Sequence, residues 1–188
     1  SAHKFHGLKG IGVLYLKSRR TVHNITFGGG HEDGLRSGTV NVAAAVSLAK
    51  SLRLSQEKVE VIKAKHKEYK KLIVDEFSKY KHIVINSPLS ENFMDSIVNI
   101  SLPKIKGEVI VNALNDRGIM VSTTSACSSK TFHLNEALYA RGLSKENIEG
   151  SIRVSFSYET TRKEVETFIE VLIDEYNKKF KEVIESGI

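Results

Sequence analysis

Four short stretches of this sequence combine residue types that can do chemistry, and the first is SAHK at residues 1–4. The amine of Lys4 can form a Schiff base with an aldehyde cofactor where its surroundings favour the neutral form. Hydroxyl and imidazole groups such as those of Ser1 and His3 can hold the phosphate of such a cofactor. A solvated surface lysine would fit the same residues, so this stretch alone does not decide between the two.

The second stretch, GGGHEDGLRSGT at residues 28–39, holds five glycines among twelve residues. Successive backbone N–H groups in a glycine-rich turn can bind an anion, and Arg36 and Thr39 add further donors. The stretch lacks the Gly-Lys-Ser/Thr ending of a Walker loop. A tight structural loop would also explain the glycines, but it would not explain why Arg36 and Thr39 stand so close together.

The third stretch, STTSACSSK at residues 122–130, contains Cys127, the one cysteine of the chain. Small polar residues surround it, which indicates an accessible segment in which a thiolate could act as a nucleophile. The alternative, a buried filler, would place the cysteine on an apolar stripe, and no such stripe is present here. With a single cysteine, an internal disulfide is excluded.

In the fourth stretch, SIRVS at residues 151–155, Arg153 alternates with Ile152 and Val154. The alternation predicts a strand in which the two apolar side chains share one face and Arg153 projects from the other. An arginine in that position can bind a carboxylate through two parallel hydrogen bonds, or it can form a structural ion pair. These two interpretations remain open.

Composition narrows the class of protein without identifying it. The 188 residues carry a formal net charge of +6, and much of the excess lies in residues 57–81. A solvated helix face explains this charge, with an RNA or acidic protein partner as the alternative. The histidines lack the spacing of a zinc site, so no metal is expected. No apolar run reaches the roughly 20 residues of a membrane span, and we expect a cytoplasmic protein without membrane contact.

The hydrophobic pattern predicts a mixed α/β chain. Strands are predicted at residues 10–18, 22–29, 82–86, 94–102, 119–123 and 151–157, and helices at 40–54 (buried), 57–81 (amphipathic), 107–118, 133–142 and 161–184. The last helix begins with a capping box, TRKE, and its predicted apolar stripe consists of Val165, Phe168, Leu172, Tyr176, Phe180 and Val183.

Three regions follow from this pattern. Residues 1–54 contain too few elements to bury a core of their own and are predicted to be the edge of a larger sheet. Residues 55–81 form a connecting helix, and residues 82–188 form a compact α/β domain.

The four stretches follow one another in the order, and at about the spacing, of cysteine desulfurases of the NifS/IscS type, a branch of the class V aminotransferases. The residues that carry this resemblance are SAHKFHGLKGIG, GGGHEDGLRSGT, STTSACSSK and GSIRVSFSYETT. The resemblance spans the whole chain. It implies fold type I of the pyridoxal-phosphate-dependent transferases, with a complete small α/β domain and only part of the large cofactor domain.

The resemblance implies a role for each matching residue around the cofactor. Lys4 matches the lysine that binds pyridoxal 5'-phosphate covalently, and Ser1 and His3 match residues that hold its phosphate. Thr39 matches the threonine that reaches the phosphate of the neighbouring subunit, which implies a homodimer.

The resemblance also implies the reaction. Arg153 matches the arginine that binds the carboxylate of L-cysteine, and Cys127 matches the cysteine that takes the substrate sulfur as a persulfide and releases alanine. The sulfur would pass to an acceptor protein for iron–sulfur cluster assembly, tRNA thiolation or thiamine synthesis, and no direct nucleic acid partner is expected. TFHLNEALYARG replaces the usual stretch after the cysteine motif, which leaves the acceptor open.

Members of the family are much longer than this chain and hold the cofactor ring with an earlier histidine and aspartate. We therefore expect the chain to be the C-terminal half of the enzyme and to be inactive alone. The alternatives are a related class V enzyme, such as a selenocysteine lyase or an aminotransferase, and a non-catalytic interaction module.

Overall fold

The structure is a computed structural model that describes residues 1–18, 22–123 and 135–186. The chain groups into two compact units, Ser1–Glu60 and Val61–Ile188. The helices are α1 (Val42–Glu57), α2 (Val59–Phe77), α3 (Gly107–Asn115), α4 (Glu136–Ala140), α5 (Lys145–Glu149), α6 (Arg162–Glu175) and α7 (Lys181–Ser186). The strands are β1 (Val84–Ile85), β2 (Ile97–Ser101), β3 (Ser122–Thr123) and β4 (Ser151–Ser155).

Among its described residues, the first unit contains the short 3-10 turns Ala2–Phe5 and Glu32–Gly34, followed by α1. Asn41 caps α1, since its side chain accepts a hydrogen bond from the Ala44 N–H at 3.1 Å. This cap satisfies one of the N–H groups that the first turn of a helix leaves without a partner.

Two predictions for the first unit are wrong. The described residues of the stretches 10–18 and 22–29 form no strand, because an alternating pattern becomes a strand only when another strand supplies hydrogen-bond partners. The helix predicted to be buried is present, but Ala44 is its only buried residue. Val42 and Val46 are 66% and 63% exposed, because none of the residues that the structure describes covers that face.

The second unit is built on a four-stranded sheet in the order β1-β2-β4-β3, with every neighbouring pair antiparallel. Each of these strands lies inside a predicted one. The fold is therefore mixed α/β as predicted, and the central pair β2 and β4 is in register over five residue pairs.

One face of this sheet is apolar and carries the core. Val98 and Ile100 of β2 and Ile152 of β4 have no exposed surface. The core around them combines side chains of the sheet with those of α2, α3 and α6, among them Tyr69, Ile73, Phe77, Ile110, Leu114, Val165, Phe168 and Leu172.

The amphipathic pattern of α2 is confirmed, and its buried face is part of the core of the second unit. Lys70 differs from the other lysines of this helix because it is fully buried and donates to the Met94 carbonyl at 3.1 Å. Burial lowers the pKa of Lys70, and the nearby carboxylate of Asp95 opposes that shift.

The predicted capping box of the last long helix is confirmed at Thr161 and Glu164. The helix is not uniform, however, because residues Tyr176–Phe180 form a π-helical segment between α6 and α7. Val183, predicted to be in the apolar stripe, is 40% exposed, and Ile184 is buried in its place. The wider π turn shifts the buried face by one residue.

Helix α5 was not predicted. It is a single short segment whose cap, Ser144, accepts a hydrogen bond from the Asn147 N–H at 3.2 Å. The serine directly before Lys145–Glu149 was the available signal.

Candidate active site

The first candidate group lies on the 3-10 turn Ala2–Phe5. Ala2 is fully buried and anchors the turn, since its N–H donates to the Ile11 carbonyl at 3.0 Å. Ser1, His3 and Lys4 are exposed around it. The fold thus places a hydroxyl, an imidazole and an amine together on one short turn.

Glycine is required beside this turn. A Cβ on Gly7 would lie 2.8 Å from the Ala2 Cβ, so any larger residue would displace the anchor. The preceding residue, His6, ends the turn in a left-handed conformation with φ 66°. Residues without catalytic chemistry therefore shape the turn that carries Lys4.

The donors on this turn fit a phosphorylated aldehyde. Ser1, the N-cap residue of the turn, precedes Lys4 by three residues, and the Lys4 N–H donates to the Ser1 carbonyl at 3.2 Å. A hydroxyl and an imidazole can donate to phosphate oxygens, and a primary amine can condense with an aldehyde. This set of groups matches the chemistry of pyridoxal phosphate.

The glycine-rich stretch folds on itself rather than forming an open cradle. The N–H groups of Gly30 and Gly34 donate to the Gly28 and Gly30 carbonyls at 2.9 and 3.0 Å. The N–H groups of Leu35 and Ser37 also donate to carbonyls. These four groups are occupied, so an anion would depend on the other donors of the stretch.

Arg36 and Thr39 are the side-chain donors that the sequence analysis singled out in that stretch, and both are exposed. The Arg36 Nη1 donates to the Ser37 carbonyl at 3.1 Å. A Cβ on Gly38 would lie 2.8 Å from the same Nη1, and the φ of Gly38 is +123°. Glycine at 38 thus leaves room for the guanidinium.

In the second unit, Arg153 lies on a strand as predicted, and that strand, β4, is one of the two inner strands of the sheet. Its register partners are Asn99 on β2 and Ser122 on β3. Directly paired residues of antiparallel strands project from the same face, so these three side chains share the polar face. Arg153 is exposed, whereas Ile152 and Val154 beside it are buried.

A hydrogen-bonded network next to Arg153 was missed in the sequence. Asn86 Nδ2 donates to Asn99 Oδ1 at 2.7 Å and to Ser101 Oγ at 2.6 Å, and all three residues are buried. The signal was available, because Asn99 and Ser101 alternate with apolar residues in a strand otherwise typical of a core.

Cys127 lies outside the residues that the structure describes. The residues before it are described up to Thr123, the end of β3, and the residues after it from Asn135, the cap of α4. Ser1, His3, Lys4 and Thr39 belong to the first unit, and Arg153 belongs to the second.

Within the described residues, no helix is long and apolar enough to cross a membrane. Their histidine and acidic side chains form no group of three or more that could hold a metal ion.

Comparison with known sequences places the chain in a family. The model of the family "Aminotransferase class-V" matches residues 1–168. A "NifS/IcsS protein homolog" of Lactobacillus delbrueckii subsp. bulgaricus is 38% identical over 195 residues, covering 100% of this chain and 48% of the relative. A "Cysteine desulfurase IscS" of Clostridium botulinum is 34% identical over 174 residues, covering 92% of this chain and 44% of the relative.

Solved structures agree with the sequence comparison. A structure described as a "NIFS-LIKE PROTEIN" superposes with a TM-score of 0.82 at 30% identity, covering 94% of this chain and 45% of that one. The cysteine desulfurase CsdA of Escherichia coli has a TM-score of 0.68 at 21% identity, which supports the fold alone. The chain spans about half the length of these relatives. The resemblance read from the four stretches is confirmed, and the chain belongs to the class-V aminotransferase family.

Proposed function

We propose that the whole protein containing this chain is a pyridoxal-phosphate-dependent cysteine desulfurase that converts L-cysteine to L-alanine. The observation that carries the proposal is the exposed turn with Ser1, His3 and Lys4, in a chain whose relatives include a protein named cysteine desulfurase IscS. An amine beside a hydroxyl and an imidazole is the donor set that this cofactor needs.

Four residues of the chain would hold the cofactor. Ser1 and His3 would donate to its phosphate, and the Lys4 amine would hold its aldehyde carbon. Thr39 would reach the phosphate bound by the partner subunit, which makes the enzyme a homodimer. When bound, pyridoxal phosphate supplies an electron sink for the bonds around the amino acid's α-carbon.

The protein's own groups would do the remaining work. The guanidinium of Arg153 would orient the substrate by two hydrogen bonds to its carboxylate. The Lys4 amine, once free, would accept and return protons at the substrate carbon atoms.

Sulfur transfer would occur at Cys127. Its thiolate forms a bond with the substrate sulfur, and the bond between that sulfur and the substrate β-carbon breaks. The β-carbon takes up a proton, so the products are alanine and a persulfide on Cys127. Atoms and electrons balance without any further oxidant or reductant.

The persulfide would then pass to a sulfur-acceptor protein in the cytoplasm. Iron–sulfur cluster assembly, tRNA thiolation and thiamine synthesis are the processes that such a donor would serve. The enzyme would contact the acceptor protein and not the nucleic acid itself.

The decisive experiment uses the full-length protein loaded with pyridoxal phosphate and supplied with L-cysteine. We expect stoichiometric alanine release, a persulfide on Cys127, and a loss of at least about 100-fold in turnover for Cys127→Ala, because the nucleophile is removed. The variant should still show the cofactor's absorbance band, which Lys4→Ala should alter.

Other outcomes point to the alternatives. Full turnover of L-cysteine by Cys127→Ala would indicate a related class V enzyme that does not use a thiol. A full-length protein with neither a cofactor band nor alanine release would support a non-catalytic interaction module.

A further inference from the structure

We propose that Asn99 is a positioning residue that fixes the direction of the Arg153 side chain, and this inference rests on the proposed function. Asn99 is directly paired with Arg153 in the β2–β4 register. Its side-chain Nδ2 donates to the Ile152 carbonyl at 3.0 Å. That carbonyl belongs to the peptide group joining Ile152 to Arg153, so the bond acts on the backbone from which the arginine projects.

The Asn99 side chain is itself held. Its Oδ1 accepts from Asn86 Nδ2 at 2.7 Å, while its backbone N–H donates to Ser87 Oγ at 2.7 Å. Asn99 is only 8% exposed and Asn86 only 5%. A short amide side chain bonded at both ends in a buried place has little freedom to rotate.

Asn86 is also restrained, from two other elements. Its second amide hydrogen bond goes to Ser101 Oγ at 2.6 Å, and Ser101 donates onward to the Asn147 carbonyl at 2.6 Å. Arg141, which directly follows α4, donates from Nη1 to the Asn86 carbonyl at 2.8 Å. The network therefore connects the edge strand and two short helices to the peptide before Arg153.

The polar side chains of this network indicate that it orients Arg153 in addition to stabilising the fold. Burying an amide group costs free energy unless it is hydrogen-bonded, and replacing both partners of a buried hydrogen bond by apolar groups of the same shape can be nearly neutral or stabilising. The opposite face of the same strand is indeed apolar, with Val98 and Ile100 fully buried. Polar groups bonded on the Arg153 face fix an orientation that apolar packing would leave loose.

Orientation matters because a guanidinium binds a carboxylate well only when the two planes align. A substrate held by a misaligned arginine loses affinity, while the groups that break its bonds are unchanged. Loss of Asn99 should therefore appear in KM for L-cysteine and leave kcat nearly unchanged.

The test compares Asn99→Ala with Val98→Ala in the full-length, cofactor-loaded protein. Val98 neighbours Asn99 on the same strand but lies on the opposite, apolar face, so its truncation reports instability alone. We expect Asn99→Ala to raise KM for L-cysteine about tenfold with kcat within about twofold, and Val98→Ala to change KM less than about twofold. Both variants should have a lower Tm.

A double variant gives a second, independent readout. If Asn99 acts through Arg153, adding Asn99→Ala to Arg153→Lys should raise KM less than about twofold further, because the bidentate fork is already lost. Should Asn99→Ala fail to fold, Asn86→Ala keeps the Asn99 side chain but removes its support, and we expect it to raise KM about threefold.

The inference is overturned if Asn99→Ala and Val98→Ala change KM equally, if the loss falls on kcat alone, or if the effects of the double variant multiply in full. Failure of the proposed function is distinguishable, because then the unaltered full-length protein would release no alanine from L-cysteine.

Discussion

The two units of this chain differ in what their apolar side chains contact. In the second unit Phe77, Ile100 and Leu172 have no exposed surface. In the first unit Tyr15 and Ile25 are 85% and 92% exposed. Burial of an apolar side chain stabilises a fold by about 1.5–3 kcal/mol, so the first unit gains much less from its apolar residues than the second.

The two units therefore differ in how firmly they hold the side chains of the candidate site. Lys4 and Thr39 lie in the first unit, where the Lys4 N–H donates to the Ser1 carbonyl within a short turn and Thr39 ends the glycine-rich stretch. Arg153 lies on a paired strand over a close-packed core. Packing therefore positions Arg153, which we propose binds the carboxylate, whereas local turns position Lys4 and Thr39, which we propose bind the cofactor.

The largest expected change in the free energy of unfolding is tested by replacing a phenylalanine with alanine in each unit. Phe77→Ala removes a fully buried ring that packs edge-to-face on Phe168 with centroids 5.8 Å apart. We expect it to lower the free energy of unfolding by about 3–5 kcal/mol. Phe27→Ala, at a ring that is 81% exposed, should change it by less than about 0.5 kcal/mol. Urea unfolding followed by circular dichroism measures both. Equal losses would show that Phe27 is covered in solution and would remove the contrast between the units.

Two glycines, one in each unit, test the same contrast with a smaller expected loss of stability. A Cβ on Gly150 would lie 2.2 Å from the Leu102 carbonyl oxygen, whereas a Cβ on Gly10 meets nothing within 4 Å. Gly150→Ala must displace backbone, and we expect a loss of about 2–3 kcal/mol. Gly10→Ala has only the strain of its φ of +84° and should cost about 1 kcal/mol. A larger loss at Gly10 in thermal unfolding would contradict this ranking.

The next largest loss of stability is expected from the capping box of α6. Thr161→Ala removes the hydroxyl of the cap and should lower the free energy of unfolding by about 1 kcal/mol. Hydrogen bonds from the Thr161 backbone N–H and hydroxyl lower the pKa of Glu164. The carboxylate's contribution is therefore present at neutral pH and is lost as the pH falls below about 4.5 towards the lowered pKa.

The matched variant for this pH dependence is Glu164→Gln, which keeps the shape of the side chain and removes its charge. Its Tm should lie below that of the unaltered chain at pH 7, and the two should converge at pH 3. A constant difference across this range would show that the charge of Glu164 has no part in the cap.

The smallest effect is expected for surface ion pairs. Arg162 bonds Glu68 of α2 at 2.7 Å and Glu166 of its own helix at 2.8 Å, with side chains about half exposed. Arg162→Ala should lower the free energy of unfolding by less than about 1 kcal/mol, and by less still in 0.5 M salt, because exposed charges are screened.

The matched variant in the first unit is Arg53→Ala, which removes the exposed pair with Glu57 in α1. It should lower the free energy of unfolding by about 0.3–0.5 kcal/mol. A salt-independent loss at Arg162 would mean that packing rather than charge holds the two helices.

Sequence patterns predicted the second unit better than the first for a physical reason. The stripe of α2 and the alternation around Arg153 describe elements whose partners lie within the chain. The alternation at residues 10–29 describes strands that need a neighbouring strand, and the described part of the chain provides none there. The apolar residues of α1 likewise indicated burial, which no other element within the described ranges provides.

The residues of the candidate site also divide into those that the sequence alone revealed and one that depends on strand pairing. Lys4, Thr39, Cys127 and Arg153 stood out because their side chains carry reactive or charged groups. Asn99 did not stand out, because its importance depends on which strand pairs with Arg153 and on a hydrogen bond to a backbone carbonyl. Such a relation is set by register, which a single sequence does not reveal.

The π-helical segment Tyr176–Phe180 also determines which residues of the C-terminal helix face the core. Four buried residues, Leu172, Tyr176, Phe180 and Ile184, are spaced by four. In a regular α-helix such a series rotates by about 40° at each step and would leave the core. The extra residue in the wide turn corrects that rotation. Removing one residue from this segment would restore a regular helix in which Ile184 follows Leu172 by eleven positions, a net rotation of only about 20°, so Ile184 would stay on the buried face. The wide turn thus accommodates one extra residue without changing which face of the last helix is buried.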